Sequence, residues 1–343
     1  MPLAAVTVPL HIAIDVMSGD QGPSVCVPAA LAAAREHQDV RFTLIGRASD
    51  LQAELAACAP TPGNVSCLYA ADVVEMTDEP RDALRRKKDS SMRRALDLVK
   101  LREAHACVSA GNTGALMATA HFVLKMLPGV ERPAIVSLIP SRGGHTFMLD
   151  LGANATCTPA QLCQFAVMGS VLATDLAGAH ERPRVGLLNI GEEEIKGHEI
   201  VQAAHALIAA SDVNYVGFVE GHDIFSDKVD VVVTDGFTGN VALKTMEGVA
   251  RMITDALREE FTRSISRKLG AIAARPALQA LRMRLDPRRY NGASMIGLNG
   301  IVIKSHGGAD LFGYQRAIEV AILEARNGVP QRIVERLAAP RGA

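Results

Sequence analysis

Two stretches of the chain nearly repeat each other: Ser109-Ala-Gly-Asn-Thr-Gly-Ala-Leu-Met117 and Thr234-Asp-Gly-Phe-Thr-Gly-Asn-Val-Ala242. Their shared core is G-x-T-G. Each follows a short, mostly apolar run, Ala106–Val108 or Val229–Val233, and each leads into residues that read as a helix. Glycines at such a junction let the backbone turn tightly and approach a ligand. Threonine adds a hydroxyl, and the helix start presents unpaired N–H groups at the positive end of its dipole. Together these suit an anion. Turn chemistry alone explains either loop; two matching loops favour a phosphate-bearing or phosphate-like substrate. The candidate binding residues are Ser109, Gly111, Asn112, Thr113 and Gly114 in the first loop, and Asp235, Gly236, Thr238 and Gly239 in the second.

Other polar residues sit at similar junctions. Lys196 lies in Asn189-Ile-Gly-Glu-Glu-Glu-Ile-Lys-Gly197, where three glutamates read as a first helical turn. It either faces substrate or pairs with those glutamates on the surface. His306, in Lys304-Ser-His-Gly-Gly308, is either structural or part of another ligand loop. Asp15, Gly19 and Asp20 occupy a polar turn after an apolar run, and Asn154 another. Arg85-Arg-Lys-Lys-Asp-Ser-Ser91 is a cation cluster or a solvated charge run, and Asp89, Ser90 or Ser91 can cap the helix that follows.

The elements that must position these groups alternate between strand and helix. Strands are expected at His11–Asp15, Arg41–Ile45, Cys107–Val108, Ile135–Ile139, Thr146–Asp150, Val185–Asn189, Tyr215–Phe218 and Val229–Val233. Helices are expected at Pro28–Glu36, Ala160–Leu176, Glu199–Ala210 and Val241–Glu260. This is an α/β pattern: a mostly parallel sheet with helices on both faces. Ligands of such sheets bind beyond the carboxyl ends of the strands. Six polar turns (residues 15–22, 109–114, 150–154, 189–197, 220–223 and 234–240) are expected to converge on one such rim. Residues 258–289 break the alternation. Phe261, Ile265, Leu269 and Ile272 have helical spacing, Pro276 interrupts, and Leu278, Leu281 and Leu285 follow. Nine Lys/Arg stand against three acids there. A basic amphipathic hairpin suits an anionic membrane, an acidic protein or a subunit interface.

The bulk numbers exclude several classes. With 343 residues, 48% of them hydrophobic, the chain can bury a large core. A net charge of −1, 4% aromatics and no Trp argue against a nucleic-acid partner. The six cysteines form neither C-x-x-C nor a metal spacing and suit a reducing, cytoplasmic setting. No apolar run reaches 18 residues. The apolar start, Met1–Val16, lacks a basic leader and reads as a first strand. Neither G-x-G-x-x-G nor G-x-x-x-x-G-K-[ST] is present, nor a G-x-S-x-G elbow, so no nucleotide cofactor, metal or covalent acyl-enzyme is expected. Glycine loops, hydroxyls, amides and a few cations suit a reaction that positions two substrates and stabilises developing charge.

The chain resembles the bacterial phosphate acyltransferases, which convert acyl-acyl-carrier protein and phosphate into acyl phosphate. The resemblance rests on IAIDVMSGDQGP, RRKKDSSM, SAGNTGALMA, RPAI, LDLGANA, GLLNIGEEEIKG, VGFVEGHDI, DVVVTDGFTGNVALKTMEG and GLNGIVIKSHGGAD, in that order. Three departures stand out: Ser18 where the family has Gly, Ala155-Thr156-Cys157 where it has V-D-C, and His222 where it has Arg or Lys. The resemblance implies a three-layer α/β/α Rossmann-like fold like that of the isocitrate and isopropylmalate dehydrogenases, without their cofactor. It implies one acyltransferase domain over residues 9–335, with a protruding helical hairpin inserted at 258–290. It also implies a homodimer and a downstream membrane enzyme, a glycerol-3-phosphate acyltransferase, in phospholipid synthesis. In that reaction Lys196 would serve as cation for phosphate or oxyanion, Asn240 as amide donor, and His306 as donor or proton handler. Two alternatives use the same residues differently: a phosphotransacetylase-like enzyme acting on acyl-CoA, and a non-catalytic scaffold at a membrane surface.

Overall fold

The computed structural model describes residues 9–177 and 182–338. The eight residues before Pro9, part of the expected first strand, lie outside the described residues. Eleven strands form one sheet: β1 (Leu10–Asp15), β2 (Val40–Gly46), β3 (Val65–Tyr69), β4 (Ala106–Ser109), β5 (Ala134–Ser141), β6 (Gly144–Leu149), β7 (Arg184–Leu188), β8 (Asn214–Val219), β9 (Val231–Val233), β10 (Ala293–Ile296) and β11 (Ile301–Lys304). Their order is β3-β2-β1-β4-β11-β10-β5-β6-β9-β7-β8. Seven of the ten neighbouring pairs are parallel. The three antiparallel pairs, β11–β10, β10–β5 and β5–β6, sit together at the centre.

That central seam reverses direction. Strands β1, β4 and β11 point one way, and β6, β9, β7 and β8 point the other. The six polar turns therefore do not share one rim. Those after β1 and β4 lie at one end of the sheet, and those after β6, β7, β8 and β9 at the opposite end. Eight of the eleven strand positions were readable from the sequence, all but β3, β10 and β11, and strand direction across a hairpin such as β5–β6 was not.

Helices cover both faces, and the two-residue period of the strands assigns side chains to them. Ile12, Ile14, Val108 and Ile303 pack in one cluster with α1 (Pro23–Glu36) and α11 (Leu311–Asn327). The intervening Ala13, Cys107 and Val302 face the other side, with α4 (Ser91–Lys100) and α5 (Thr113–Leu124). This second cluster runs across the seam. It takes Met148 of β6 and Val232 of β9, and Ala242, Leu243 and Met246 of α8 (Gly236–Thr262) pack against it. In the far half, α6 (Pro159–Ala177), α7 (Glu199–Ala209) and α12 (Val329–Ala338) cover the opposite face. The helix α8 thus starts at one end of the sheet and lies on a core shared with the other end.

Beyond Thr262 come α9 (Ile265–Ala273) and α10 (Arg275–Leu285), neither of which has a buried residue. The helical run breaks at Ala274, between α9 and α10, just before Pro276. That proline occupies the first turn of α10, where its missing N–H costs nothing. Ile265 is 79% exposed, Ile272 67% and Leu269 61%. At its far end the segment is tied down, because Arg284 donates to the carbonyls of Ser141 and Arg142, at 3.1 and 2.9 Å. Arg288 also bridges Asp286 and Asp310, the latter capping α11. Among the described residues, no helix is long and apolar enough to cross a membrane.

Candidate active site

Three adjacent strands end in a row of polar residues. Asp15 of β1 pairs in register with Ser109 of β4, and Ser109 pairs with Lys304 of β11. The preceding residues alternate faces, so this row projects onto the same face as Ala13, Cys107 and Val302. All three are buried, Lys304 with 8% of its surface exposed. The Ser109 hydroxyl donates to Asp15 Oδ2 at 2.7 Å, and Asp15 Oδ1 has no hydrogen-bond partner. Burial raises the Asp15 carboxyl, against the opposing influence of the nearby Ser91 and Ser109 hydroxyls. The Lys304 ammonium donates to the carbonyls of Ala110, at 3.2 Å, and Ser305. Burial pushes it down to about 8, the charge of Asp20 opposes this, and the charge of Lys244 adds to it.

The loops above this row are braced against one another. Ser18 donates to the Asp15 carbonyl at 2.6 Å and accepts from the Ala110 N–H at 2.8 Å. The serine that departs from the family's glycine therefore acts as a clamp. Gly19 has φ +85°, and a Cβ there would lie 2.9 Å from the Gly307 carbonyl oxygen, so glycine is required. The Asp20 N–H donates to that same carbonyl at 2.8 Å. His306 is exposed, and its Nδ1 accepts from the Gly308 N–H at 3.0 Å, which leaves Nε2 for a ligand. Ser90, the middle of the three cap candidates, caps α4 by accepting from the Arg93 N–H.

The two G-x-T-G loops are not equivalent. In the first, Asn112 caps α5, its Oδ1 accepting from the Ala115 N–H at 2.9 Å. Its Nδ2 donates to the Met76 and Asp78 carbonyls at 2.7 and 3.2 Å. Asn112 thus ties the loop to the Met76–Asp78 segment as well as capping α5. The Gly111 N–H is taken by Ser109 Oγ at 3.1 Å. Exposed Thr113 and Gly114 lead α5. In the second loop the cap is a carboxylate: Asp235 accepts from the Thr238 N–H at 2.9 Å and from its hydroxyl at 2.8 Å. The chain has already placed an anion at that helix start, where a carboxylate gains roughly 0.3–1 kcal/mol from the dipole. A phosphate there would meet a like charge.

The glycines of the second loop serve packing. The Gly236 N–H donates to the Asn154 carbonyl at 2.8 Å, and a Cβ on Gly236 would lie 2.5 Å from that oxygen. A Cβ on Gly239 would collide with the Asp150 carbonyl. Asp150 organises this end: its carboxylate accepts from the N–H groups of Ile135, Gly152, Ala153 and Asn154 at 2.7–3.1 Å. The Asn154 side chain donates to Pro133 and Asp150, so it too is a brace. Exposed Asn240 sits on α8 facing the Gly152 turn.

Lys196 lies at this same end, after β7, in irregular backbone rather than the expected helical turn; α7 begins only at Glu199. It is exposed and pairs with Glu193 at 2.9 Å, which holds the Glu193 carboxyl below its usual range. Asn189 Nδ2 fixes the loop by donating to the Lys196 carbonyl at 3.1 Å. Lys196 and Asn240 thus share one end of the sheet, and His306, Ser109 and the Thr113–Gly114 helix start share the other. Sequence reasoning singled out His306 and passed over Lys304. The available signal was a lysine closing the apolar run Ile301–Ile303 in register with Ser109. Among the described residues, no cluster of three His, Cys, Asp or Glu could hold a metal ion.

A family described as fatty acid synthesis protein matches residues 10–332. The chain belongs to that family. It is 54% identical over 327 residues to a phosphate acyltransferase of Methylococcus capsulatus, covering 95% of this chain and 96% of that one. To a phosphate acyltransferase of Alkalilimnicola ehrlichii it is 55% identical, covering 95% of each. Among solved structures, a phosphotransacetylase from Streptococcus pyogenes aligns with a TM-score of 0.62 at 15% identity, over 92% of this chain and 94% of that one. A phosphotransacetylase from Staphylococcus aureus aligns at 0.58 and 16% identity, over the same shares. These two likenesses concern the fold, a mixed α/β architecture with a large, mostly parallel sheet.

Proposed function

We propose that the chain is a phosphate acyltransferase that makes acyl phosphate from acyl-acyl-carrier protein and inorganic phosphate. The near-complete alignment at 54% identity with a protein of that name carries the reading. A phosphate oxygen attacks the thioester carbonyl, the new C–O bond forms and the C–S bond breaks. The hydrogen of the phosphate monoanion or dianion ends on the carrier thiol. No protein nucleophile is needed, so catalysis rests on positioning, worth up to roughly 7–11 kcal/mol, and on oxyanion stabilisation, where one donor contributes ~10²–10³ in rate. The candidate groups are Lys196 as cation for phosphate or oxyanion, Asn240 as amide donor, and His306 as donor or proton handler. The test is phosphate-dependent consumption of acyl-acyl-carrier protein with hydroxamate trapping of acyl phosphate. No trapped product from folded protein refutes the reading, and equal rates with acyl-CoA favour the phosphotransacetylase-like alternative.

The finer assignments belong to the same proposal. Residues 9–335 act as one domain of the isocitrate and isopropylmalate dehydrogenase-like, Rossmann-related class, with 258–290 as its inserted hairpin. The protein works in the cytoplasm as a homodimer and passes acyl phosphate to a membrane glycerol-3-phosphate acyltransferase. The exposed Ile265, Leu269 and Ile272 beside basic residues support contact of the hairpin with an anionic membrane surface.

A further inference from the structure

The middle of a sheet covered by helices on both faces is ordinarily buried on both, and here one face is open at the seam. The Asp15–Ser109–Lys304 row continues across it. Lys304 pairs with Ala293 of β10, the Ser294–Val136 pair puts Ala293 opposite Ser137 of β5, and Ser137 pairs with Met148 of β6. Ala293 and Ser137 are only half-buried, although five strands or more lie on either side of them. Their neighbours on the other face, Ser294 and Val136, are buried.

A helix stands on each side of this opening. On α5, the Phe122 ring lies under Arg93 of α4, 5.8 Å from guanidinium carbon to ring centroid. Met117, five residues earlier, projects from the roughly opposite flank, away from α4 and toward the seam. From the other side, α8 packs Leu243 and Met246 against the same apolar cluster as Met117. All three are half-buried. Along the floor, buried Met295 and Ile135 lead from Ala293 and Ser137 to the Gly152 turn, which faces Asn240. At the other end the Arg142 N–H donates to the Phe225 carbonyl at 2.9 Å, tying the 223–225 turn to β5, and Ile139 and Ile224 are buried there. These residues outline a trough that is apolar on its floor and walls, open beside Asn240 and closed beyond Ser137.

We propose that the trough between α5 and α8 holds the fatty acyl chain of the donor, with the thioester end at Asn240 and with Ala293 and Ser137 limiting how far the chain extends. This rests on the phosphate acyltransferase reading and deepens it by locating the chain. Of the three things that reaction brings together, phosphate, carrier protein and acyl chain, only the chain is apolar throughout. Each methylene that the trough withdraws from water is worth roughly fourfold in affinity. The two wall methionines, Met117 and Met246, are unbranched and adapt to what lies against them.

The experiment compares kcat/KM for palmitoyl- and butyryl-acyl-carrier protein in the parent, Ala293→Leu, Ser137→Leu and Met246→Ser. Either leucine fills the floor and displaces about two methylenes of a long chain, so the palmitoyl-to-butyryl ratio is expected to fall at least tenfold. The phosphate KM is expected to stay within twofold of the parent. Met246→Ser is expected to lower the same ratio at least fourfold through a raised KM for the palmitoyl donor. Should neither leucine variant fold, Met246→Ser decides, because α8 buries only Gly236 and Gly239 and position 246 supports little core. Smaller falls than these in every folded variant overturn the trough and leave the acyltransferase reading intact. Parent protein that forms no acyl phosphate from either donor refutes that reading instead.

Discussion

Glu324 offers a test of the energetics away from the proposed site. It lies on α11, 1% exposed, and accepts from the Ser294 hydroxyl of β10 at 3.1 Å; its Oε1 has no partner. On α6 the buried carboxylate of Asp175 faces it, itself paired with Arg332 of α12. Burial first, and then the charge of Asp175, push Glu324 up from 4.5 to about 8, against the Ser294 hydrogen bond. The native state therefore keeps this proton where the unfolded chain has lost it. Stability from this group is full below pH 4.5, declines as pH rises and is gone above about 8. At pH 7 the difference spans roughly 2.5 pH units, or about 3 kcal/mol at about 1.4 kcal/mol per unit. Glu324→Gln keeps the acceptor for Ser294, and its amide nitrogen inherits a position that is already unpartnered. The variant is expected to match the parent near pH 4.5 and to exceed it by about 3 kcal/mol, roughly 5 °C in melting temperature, at pH 7. Thermal unfolding of both proteins across pH 4.5–8 measures this. A difference that stays constant over that range means Glu324 ionises like an exposed glutamate, and the burial reasoning fails. Activity is expected to be unchanged, because Ser294 and Glu324 lie on the face opposite the Asp15–Ser109–Lys304 row.

Other expectations concern the candidate site and hairpin. Lys196→Ala is expected to cut turnover strongly with stability within about 0.5 kcal/mol, since only an exposed pair with Glu193 is lost; near-parental kcat removes Lys196 from the site. Asn240→Ala is expected to lower kcat, whereas Asn112→Ala is expected to cost about 1 kcal/mol of stability through the lost α5 cap. Equal stability with a raised phosphate KM in Asn112→Ala would reverse that assignment. Replacing Leu278, Leu281 and Leu285 with serine is expected to abolish flotation with anionic vesicles while soluble acyl transfer persists. Flotation that survives in the variant, or is absent in the parent at low salt, ends the membrane reading.

Much of the architecture was legible because it depends on local pattern. Short apolar strands and glycine-marked turns located β1, β4, β7 and β9, and the basic amphipathic run located α9 and α10. The misread features depend on partners distant in sequence. The Val65–Tyr69 run gives no clear alternation and becomes β3 only as an edge strand on β2. The reversal at β5–β6 placed Ser109 and Asp235 at opposite ends, which no local feature of either loop encodes. The repeated G-x-T-G marks a helix start in both places without repeating its structure, because the cap is Asn112 inside the motif in one loop and Asp235 just before it in the other. Lys304 went unnoticed for a similar reason. Its meaning comes from its alignment with Ser109, a residue 195 positions earlier in the sequence.

That alignment has a consequence for how the protein is made. Strands β1 to β4 emerge early from the ribosome, yet their sheet lacks its neighbour β11 and its covering helix α11 until the last fifth of the chain is synthesised. The early half must wait with an unpaired β4 edge and an uncovered apolar face, the condition under which strands pair wrongly and aggregate. The far half, from β6 to β9, is continuous in sequence apart from its late covering helix α12, and its strands can pair first. Nascent chains arrested before Ala293 are therefore expected to show protease resistance in the later-made half and sensitivity in the earlier one. The order of maturation then runs against the order of translation, and the Asp15–Ser109–Lys304 row is among the last features to exist.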